Sequence, residues 1–216
     1  MKPKDYLHQC EPLLLYLLLF FPALFVNNMA MASFFTSVAT MLQYIIISIP
    51  QILLILYFFY MKKWGFKDNF TFSPILKTIL LIILSTFVLF IISNLAALIL
   101  MVTGVMPNGP KIESSKQFIP LYFLLSVITG YREELFFRAY LIKFFEKSAS
   151  KTVLTIVISA LFAICHISQG AKGVIISFIS SAMLCFIFFR FKNIHINAIS
   201  HALYNFFVLM ASVFLT

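Results

Sequence analysis

The sequence predicts an all-α fold, a polytopic bundle of about seven transmembrane helices, and three observations carry that prediction. Of 216 residues, 62% are hydrophobic and only 11% are charged, where a soluble domain carries about 25% charged residues. Mean hydropathy is +1.02, and the 27 phenylalanines suit lipid-facing and interhelical packing. The basic residues fall in short clusters between apolar runs. A net charge of +9, from 16 Lys and Arg against 7 acids, would point a soluble protein towards nucleic acid. In this arrangement it reads as membrane topology, and no nucleic-acid partner is expected.

Crossing the hydrocarbon takes about 20 apolar residues. Runs approaching that length lie near 12–34, 38–61, 74–103, 118–146, 152–167, 173–190 and 194–215. Lys2 and Lys4 precede the first run, and Ala30-Met31-Ala32 has the small-x-small pattern of a signal-peptide cleavage site. Because many spans follow, an uncleaved first helix is expected. Pro22, Asn27 and Asn28 blur the border between the first two spans. The fourth, as one helix, would be ~43 Å long. The fifth and sixth read as short for a full crossing. No soluble domain, long linker, low-complexity tract or internal repeat interrupts the pattern, so residues 1–216 read as a single integral membrane domain, with N-terminal spans over 1–103.

Loop charges agree with this count. Lys2 and Lys4, then Lys62, Lys63 and Lys67, then Lys143, Lys147 and Lys151, then Arg190 and Lys192 all fall on one side if the spans alternate. The opposite loops hold Lys111, Lys116 and Lys172. The positive-inside rule then places the N-terminus in the cytoplasm and the C-terminus outside.

Cys10, Cys165 and Cys185 are widely spaced and make neither a disulfide framework nor a Cys-x-x-Cys metal site. Cys165 directly precedes His166, but helix neighbours point about 100° apart. A small buried core residue is the better reading of Cys165.

Against this apolar background a few polar residues stand out. Glu133 and Glu134 are adjacent in Tyr-Arg-Glu-Glu-Leu-Phe-Phe-Arg (131–138), near the middle of the fourth run. A charge at bilayer depth costs at least ~2.5 kcal/mol, so such residues face a bundle interior and have a task there. Measured from the turn near Ser148, Glu133 lies ~22 Å along its helix and His166 ~26 Å along the next. From Lys192, His201 is ~14 Å and Asn205 ~20 Å along the last span. These polar side chains are therefore expected to meet at similar depth. Glu134 and Arg138, at i,i+4, share a face and read most simply as a structural ion pair. Glu133 is rotated off that face and is expected to stay free. Arg132 is either solvated or neutralises the pair of acids. Phe162, four residues before His166, can brace the imidazole. Asn197, His201 and Asn205 form an i,i+4,i+8 stripe that must face protein or a water-filled cavity, although Asn197 alone reads equally as a packing residue. His195, close to Lys192, reads as interfacial, and His8 as part of the cytoplasmic tail.

The set Glu133-Glu134-x-x-x-Arg138, Phe162-x-x-x-His166 and His201-x-x-x-Asn205 resembles the three-motif signature of the CPBP intramembrane proteases, which comprise the type II CAAX prenyl endopeptidases and the bacterial Abi, or bacteriocin-processing and immunity, proteins. The resemblance covers 118–215, which would be the catalytic core, with its cavity inside the C-terminal helices. It implies hydrolysis of a peptide bond in a hydrophobic or lipid-associated peptide or protein within the membrane. In that reading Glu133 activates water as general base, His166 assists, His201 and Asn205 bind the oxyanion, and Glu134, Arg138 and Phe162 support the geometry. Bacterial relatives imply a cytoplasmic-membrane location and roles in bacteriocin processing, immunity, peptide signalling or CAAX-type processing. Ala139 stands where the family often has glycine, and about seven spans stand against the eight of the prenyl endopeptidases.

Glu133, His166 and His201 would also compose a His₂Glu zinc site with an open position. With no His-Glu-x-x-His motif present, no obligate metal is expected. Two other functions fit such a chain: a non-catalytic adaptor for another membrane protein, and a proton-coupled transporter, since intramembrane acids and histidines also mark proton relays. The latter would call for inverted repeats, and none is evident. The expected partners are a peptide or membrane-protein substrate and the lipid bilayer; oligomeric state is left open.

Overall fold

In hydrocarbon every backbone amide must find its partner within the chain, and a long apolar run does this as a helix. The computed structural model describes residues 3–21, 34–64, 74–104 and 114–215. Pro22, Asn27, Asn28, Ala30-Met31-Ala32, Lys2, Lys67, Gly109 and Lys111 lie outside the described residues, as do the side chains of Lys4 and His8. The described residues form helices and no strand: α1 (Pro3–Phe20), α2 (Val38–Met61), α3 (Ile75–Val102), α4, α5 (Lys151–Ile164), α6 (Gly170–Phe191) and α7 (Ile194–Leu215). Helix α4 runs over Ile119–Glu134, continues through a π-helical stretch at Leu135–Leu141 and ends in the α turn Ile142–Phe145.

Short polar residues set several of the starts. The Ser37 hydroxyl accepts from the Thr40 amide ahead of α2, and that of Ser150 from Val153 ahead of α5. Asn193 Oδ1 accepts from the amides of His195 and Ile196 at the entrance to α7. These are N-caps, satisfying amides that have no partner within the helix. Lys192, at φ 50°, makes the left-handed turn that closes α6 and permits the tight reversal into α7.

Seven helices answer the seven apolar runs, with three differences. Helix α1 begins at Pro3, so the segment expected as a tail is already helical. The sixth run is longer than expected: with its short 3-10 lead-in it covers Ile167–Phe191 and joins α2, α3 and α7 as helices long and apolar enough to cross a membrane. The fifth run ends early. Helix α5 has 14 residues, about 21 Å at 1.5 Å per residue, well short of the ~30 Å core. His166 therefore lies beyond the end of α5 in a non-helical turn, with φ −103° and ψ 15°, and not on the helix as the sequence suggested.

The bundle is apolar on both sides, as lipid on one side and packing on the other require. Leucines, isoleucines and phenylalanines of α2 and α3, such as Ile46, Leu53, Leu76 and Phe87, are exposed. The inward face of α3 is a narrow stripe in which Thr78, Ser85, Thr86 and Ser93 accompany Ile82 and Leu89. Ser93 bonds Ser180 of α6 at 2.8 Å, and Ser200 of α7 donates to the Ile82 carbonyl at 3.2 Å. Small hydroxyl residues let these helices approach and bond where apolar burial alone gives no preference for protein over lipid. One aromatic core joins Tyr16 and Phe20 of α1, Phe59 of α2, Phe136, Phe137 and Tyr140 of α4 and Phe162 of α5.

Candidate active site

The site starts from a close approach of α4 and α7. A β-carbon on Gly130 would lie 2.6 Å from the Ala198 carbonyl oxygen and 3.1 Å from the Ala202 side chain. Only a hydrogen fits there. Glu134 lies one helical turn beyond Gly130, and His201 lies between Ala198 and Ala202 in sequence, so this contact brings the acids of α4 and the histidine of α7 within reach of each other.

Glu134 is fully buried and fully engaged. Arg138 Nη1 meets its Oε1 at 2.9 Å, His201 Nδ1 meets the same oxygen at 2.9 Å, and Asn197 Nδ2 donates to Oε2 at 3.2 Å. Arg138 has no exposed surface and also donates to Ser181 Oγ at 2.7 Å and to its carbonyl at 3.1 Å, with its guanidinium carbon 4.9 Å from the centre of the Phe162 ring. The expected Glu134–Arg138 pair is thus present, and Asn197 binds to it as well as to the Leu184 carbonyl at 2.8 Å. Ala139 sits in the π-helical stretch with its methyl group buried.

Glu133 does not stay free, as the sequence had suggested. Its Oε1 is 3.3 Å from Arg132 Nη2, and its Oε2 is 3.8 Å from His201 Nε2. Arg132 is buried, which settles its two readings in favour of the neutralising one. The cluster therefore holds two carboxylates and two guanidinium groups, and their charges cancel. That balance is what a low-dielectric interior demands of buried ions.

His166 is oriented by the end of α5. Its Nδ1 is 2.8 Å from the Phe162 carbonyl. A carbonyl only accepts, so Nδ1 carries the proton, and in the neutral ring Nε2 keeps a lone pair. The Phe162 ring stacks on the imidazole with centroids 4.6 Å apart and lies 5.8 Å from the His201 ring. Phe162 thus braces both histidines, and His166 lies within electrostatic range of Glu133, Arg132 and His201. Asn205 is half-buried one turn beyond His201. His195 lies in the first turn of α7 and pairs with the Tyr131 hydroxyl at 2.9 Å. Cys165 is buried, with its thiol 3.3 Å from the Tyr16 hydroxyl and 3.4 Å from the Leu161 carbonyl.

Among the described residues no group of three or more His, Cys, Asp and Glu side chains is gathered closely enough to hold a metal ion. Sequence reasoning missed the contribution of the N-terminal helices. Ser48 and Gln51 of α2 accept hydrogen bonds from Arg132, and Tyr44 of α2 and Phe20 of α1 face its guanidinium. Gln51, one of two amides in the apolar run of α2 with Gln43, was the available signal.

Compared with known proteins, residues 115–207, under half of the chain, match a family model described as type II CAAX prenyl endopeptidase Rce1-like. No curated protein and no solved structure matches the chain.

Proposed function

Because residues 115–207 match the model of the Rce1-like type II CAAX prenyl endopeptidases, we propose that the chain is a protease of that family and that Glu133 is the base of a membrane-embedded peptide hydrolase. The observation that carries this reading is the unequal state of the two adjacent acids. Glu134 is saturated by Arg138, His201 and Asn197, while Glu133 keeps one oxygen directed at His201 without a hydrogen bond to it. A base must have a free lone pair at the reacting water.

In the proposed reaction Glu133 takes a proton from water and the hydroxide adds to the scissile carbonyl carbon. His201 and Asn205 receive the oxyanion, in a site where exclusion of water strengthens every such contact. His201, held through Nδ1 by Glu134, turns its Nε2 edge towards that oxyanion. The proton held by Glu133 then passes to the leaving nitrogen, aided by His166, and the C–N bond breaks to give a carboxylic acid and an amine. Glu134, Arg138 and Phe162 hold the geometry. The proposed steps use no metal.

The family description points to a peptide ending in a prenylated cysteine, two aliphatic residues and a final residue as substrate class, and the apolar surface of α2 and α3 suits a substrate that arrives through lipid. The test uses purified protein in lipid and two quenched-fluorescence peptides of that sequence, one farnesylated and one not. Wild type is expected to cleave at least the farnesylated peptide, with activity resistant to chelators. Glu133→Ala and His201→Ala are expected to lose at least about 100-fold, the scale of an essential base or oxyanion donor. Undiminished cleavage by both variants would sink the proposal.

A further inference from the structure

The proposed chemistry leaves one buried cation without a task. Arg132 is 7% exposed, and its bonds radiate into the N-terminal half of the chain. Nη1 donates to Gln51 Oε1 at 3.2 Å and to Ser48 Oγ at 3.4 Å, while Nη2 donates to Glu133 Oε1 at 3.3 Å. The guanidinium carbon lies 4.8 Å from the centre of the Tyr44 ring and 5.2 Å from that of Phe20. Gln51 is itself held, since its Nε2 donates to the Leu19 carbonyl at 3.2 Å. That carbonyl only accepts, so the amide is fixed with Oε1 towards Arg132. A directed series therefore runs across four helices, from the Leu19 carbonyl of α1 through Gln51 of α2 and Arg132 and Glu133 of α4 to His201 of α7.

We infer that Gln51 is a positioning residue for the proposed reaction, acting through Arg132 to keep Glu133 turned towards His201. The inference rests on the reading of Glu133 as base. It lies outside the segment that matches the family, which starts at residue 115. An arginine beside a carboxylate tends to close on it with two parallel hydrogen bonds. Here Gln51 and Ser48 occupy one arm of the guanidinium, so Arg132 reaches Glu133 with the other arm alone. Oε2 is left 3.8 Å from His201 Nε2. Take away the acceptor at residue 51, and Nη1 keeps only its longer bond to Ser48, with one of its two donor hydrogens left buried and unsatisfied. The nearest anion is Glu133, and a two-armed grip would occupy the oxygen that the reaction needs.

The test is a double-mutant cycle in kcat on the peptide that wild type cleaves. Gln51→Leu keeps the volume and removes the acceptor. It is expected to lower kcat about tenfold with KM and thermal unfolding temperature near wild type. Arg132→Met is expected to lower kcat as well, and Gln51→Leu added to Arg132→Met is expected to cost nothing further. A residue that merely supports packing would instead lower the unfolding temperature and give losses that multiply. Wild-type kcat in Gln51→Leu, or multiplying losses, overturns the inference. Glu133→Gln is the control that separates the two layers. If it is inactive while Gln51→Leu is normal, only the role of Gln51 falls. If it cleaves like wild type, or if wild type cleaves neither peptide, the reading of the site falls and this inference with it.

Discussion

Glu133 and Glu134 are neighbours of one residue type, and their surroundings give them different work. Glu134 is a strut, with partners on α4 and α7 and no solvent. Removing it leaves Arg138 as an unpaired charge with no exposure, a change that costs about 3–5 kcal/mol. Glu134→Ala should therefore unfold at a clearly lower temperature in detergent, with activity lost along with the fold. Glu133→Gln keeps an acceptor for Arg132 and should melt near wild type while losing cleavage. Scanning fluorimetry and peptide cleavage on the same samples check both. Equal melting losses in the two variants would show that the acids share one structural role. At this scale the acids and histidines were legible because a charge in hydrocarbon is too costly to be incidental. The partners of Arg132 were not. Ser48 and Gln51 look like ordinary polar interruptions of an apolar run, and only the packing of α2 on α4 turns them towards the guanidinium.

At the scale of elements, the site depends on two local departures from a regular helix and on one close contact. All seven residues of the π-helical stretch Leu135–Leu141 are buried, whereas a regular amphipathic helix would show part of such a run to the outside. The wider turn directly follows Glu134, and π-bulges recur at functional sites. The second departure is the early end of α5, which puts His166 in a turn where its own helix's carbonyl orients it. Neither was legible, because no Gly or Pro marks either place; the next glycine after His166 is Gly170. The contact at Gly130 makes a prediction at this scale. Gly130→Ala puts a methyl group 2.6 Å from the Ala198 carbonyl oxygen, and two backbones have to move apart. Misplacement near 1 Å costs on the order of 100-fold in rate. Gly130→Ala is expected to lose about 10- to 100-fold in kcat, more than Ala does at lipid-facing Leu124 of the same helix. Comparing the two variants by cleavage rate decides it, and equal rates would mean that the α4–α7 approach does not govern the site.

For the whole molecule, the number of helices was legible from apolar runs, since lipid permits few alternatives. The balance between the halves was not, because the motifs lie in the C-terminal half while α1 and α2 complete the surroundings of Arg132. Orientation belongs to this scale too. At one end of the bundle Lys62 pairs with Glu11 at 2.9 Å, Glu11 accepts from the Tyr140 hydroxyl, and Lys151 and Lys192 both lie over Phe189, at 5.8 and 5.5 Å. These contacts gather the middle of α1, the ends of α2, α4 and α6 and the start of α5 into one basic rim. At the other end Tyr122 donates to the Phe35 carbonyl and Lys116 lies over Phe214, joining the starts of α2 and α4 to the end of α7. We propose that the basic rim faces the cytoplasm, since lysine and arginine are retained there during insertion. In a Cys10→Ser background, which removes the exposed native thiol, Lys147→Cys on the basic rim and Gln117→Cys at the opposite end are both exposed positions. A membrane-impermeant maleimide added to intact cells should label Gln117→Cys and leave Lys147→Cys unlabelled until the membrane is opened. The reverse pattern would invert the bundle, and with it the side from which water and a cytoplasmic peptide tail reach Glu133.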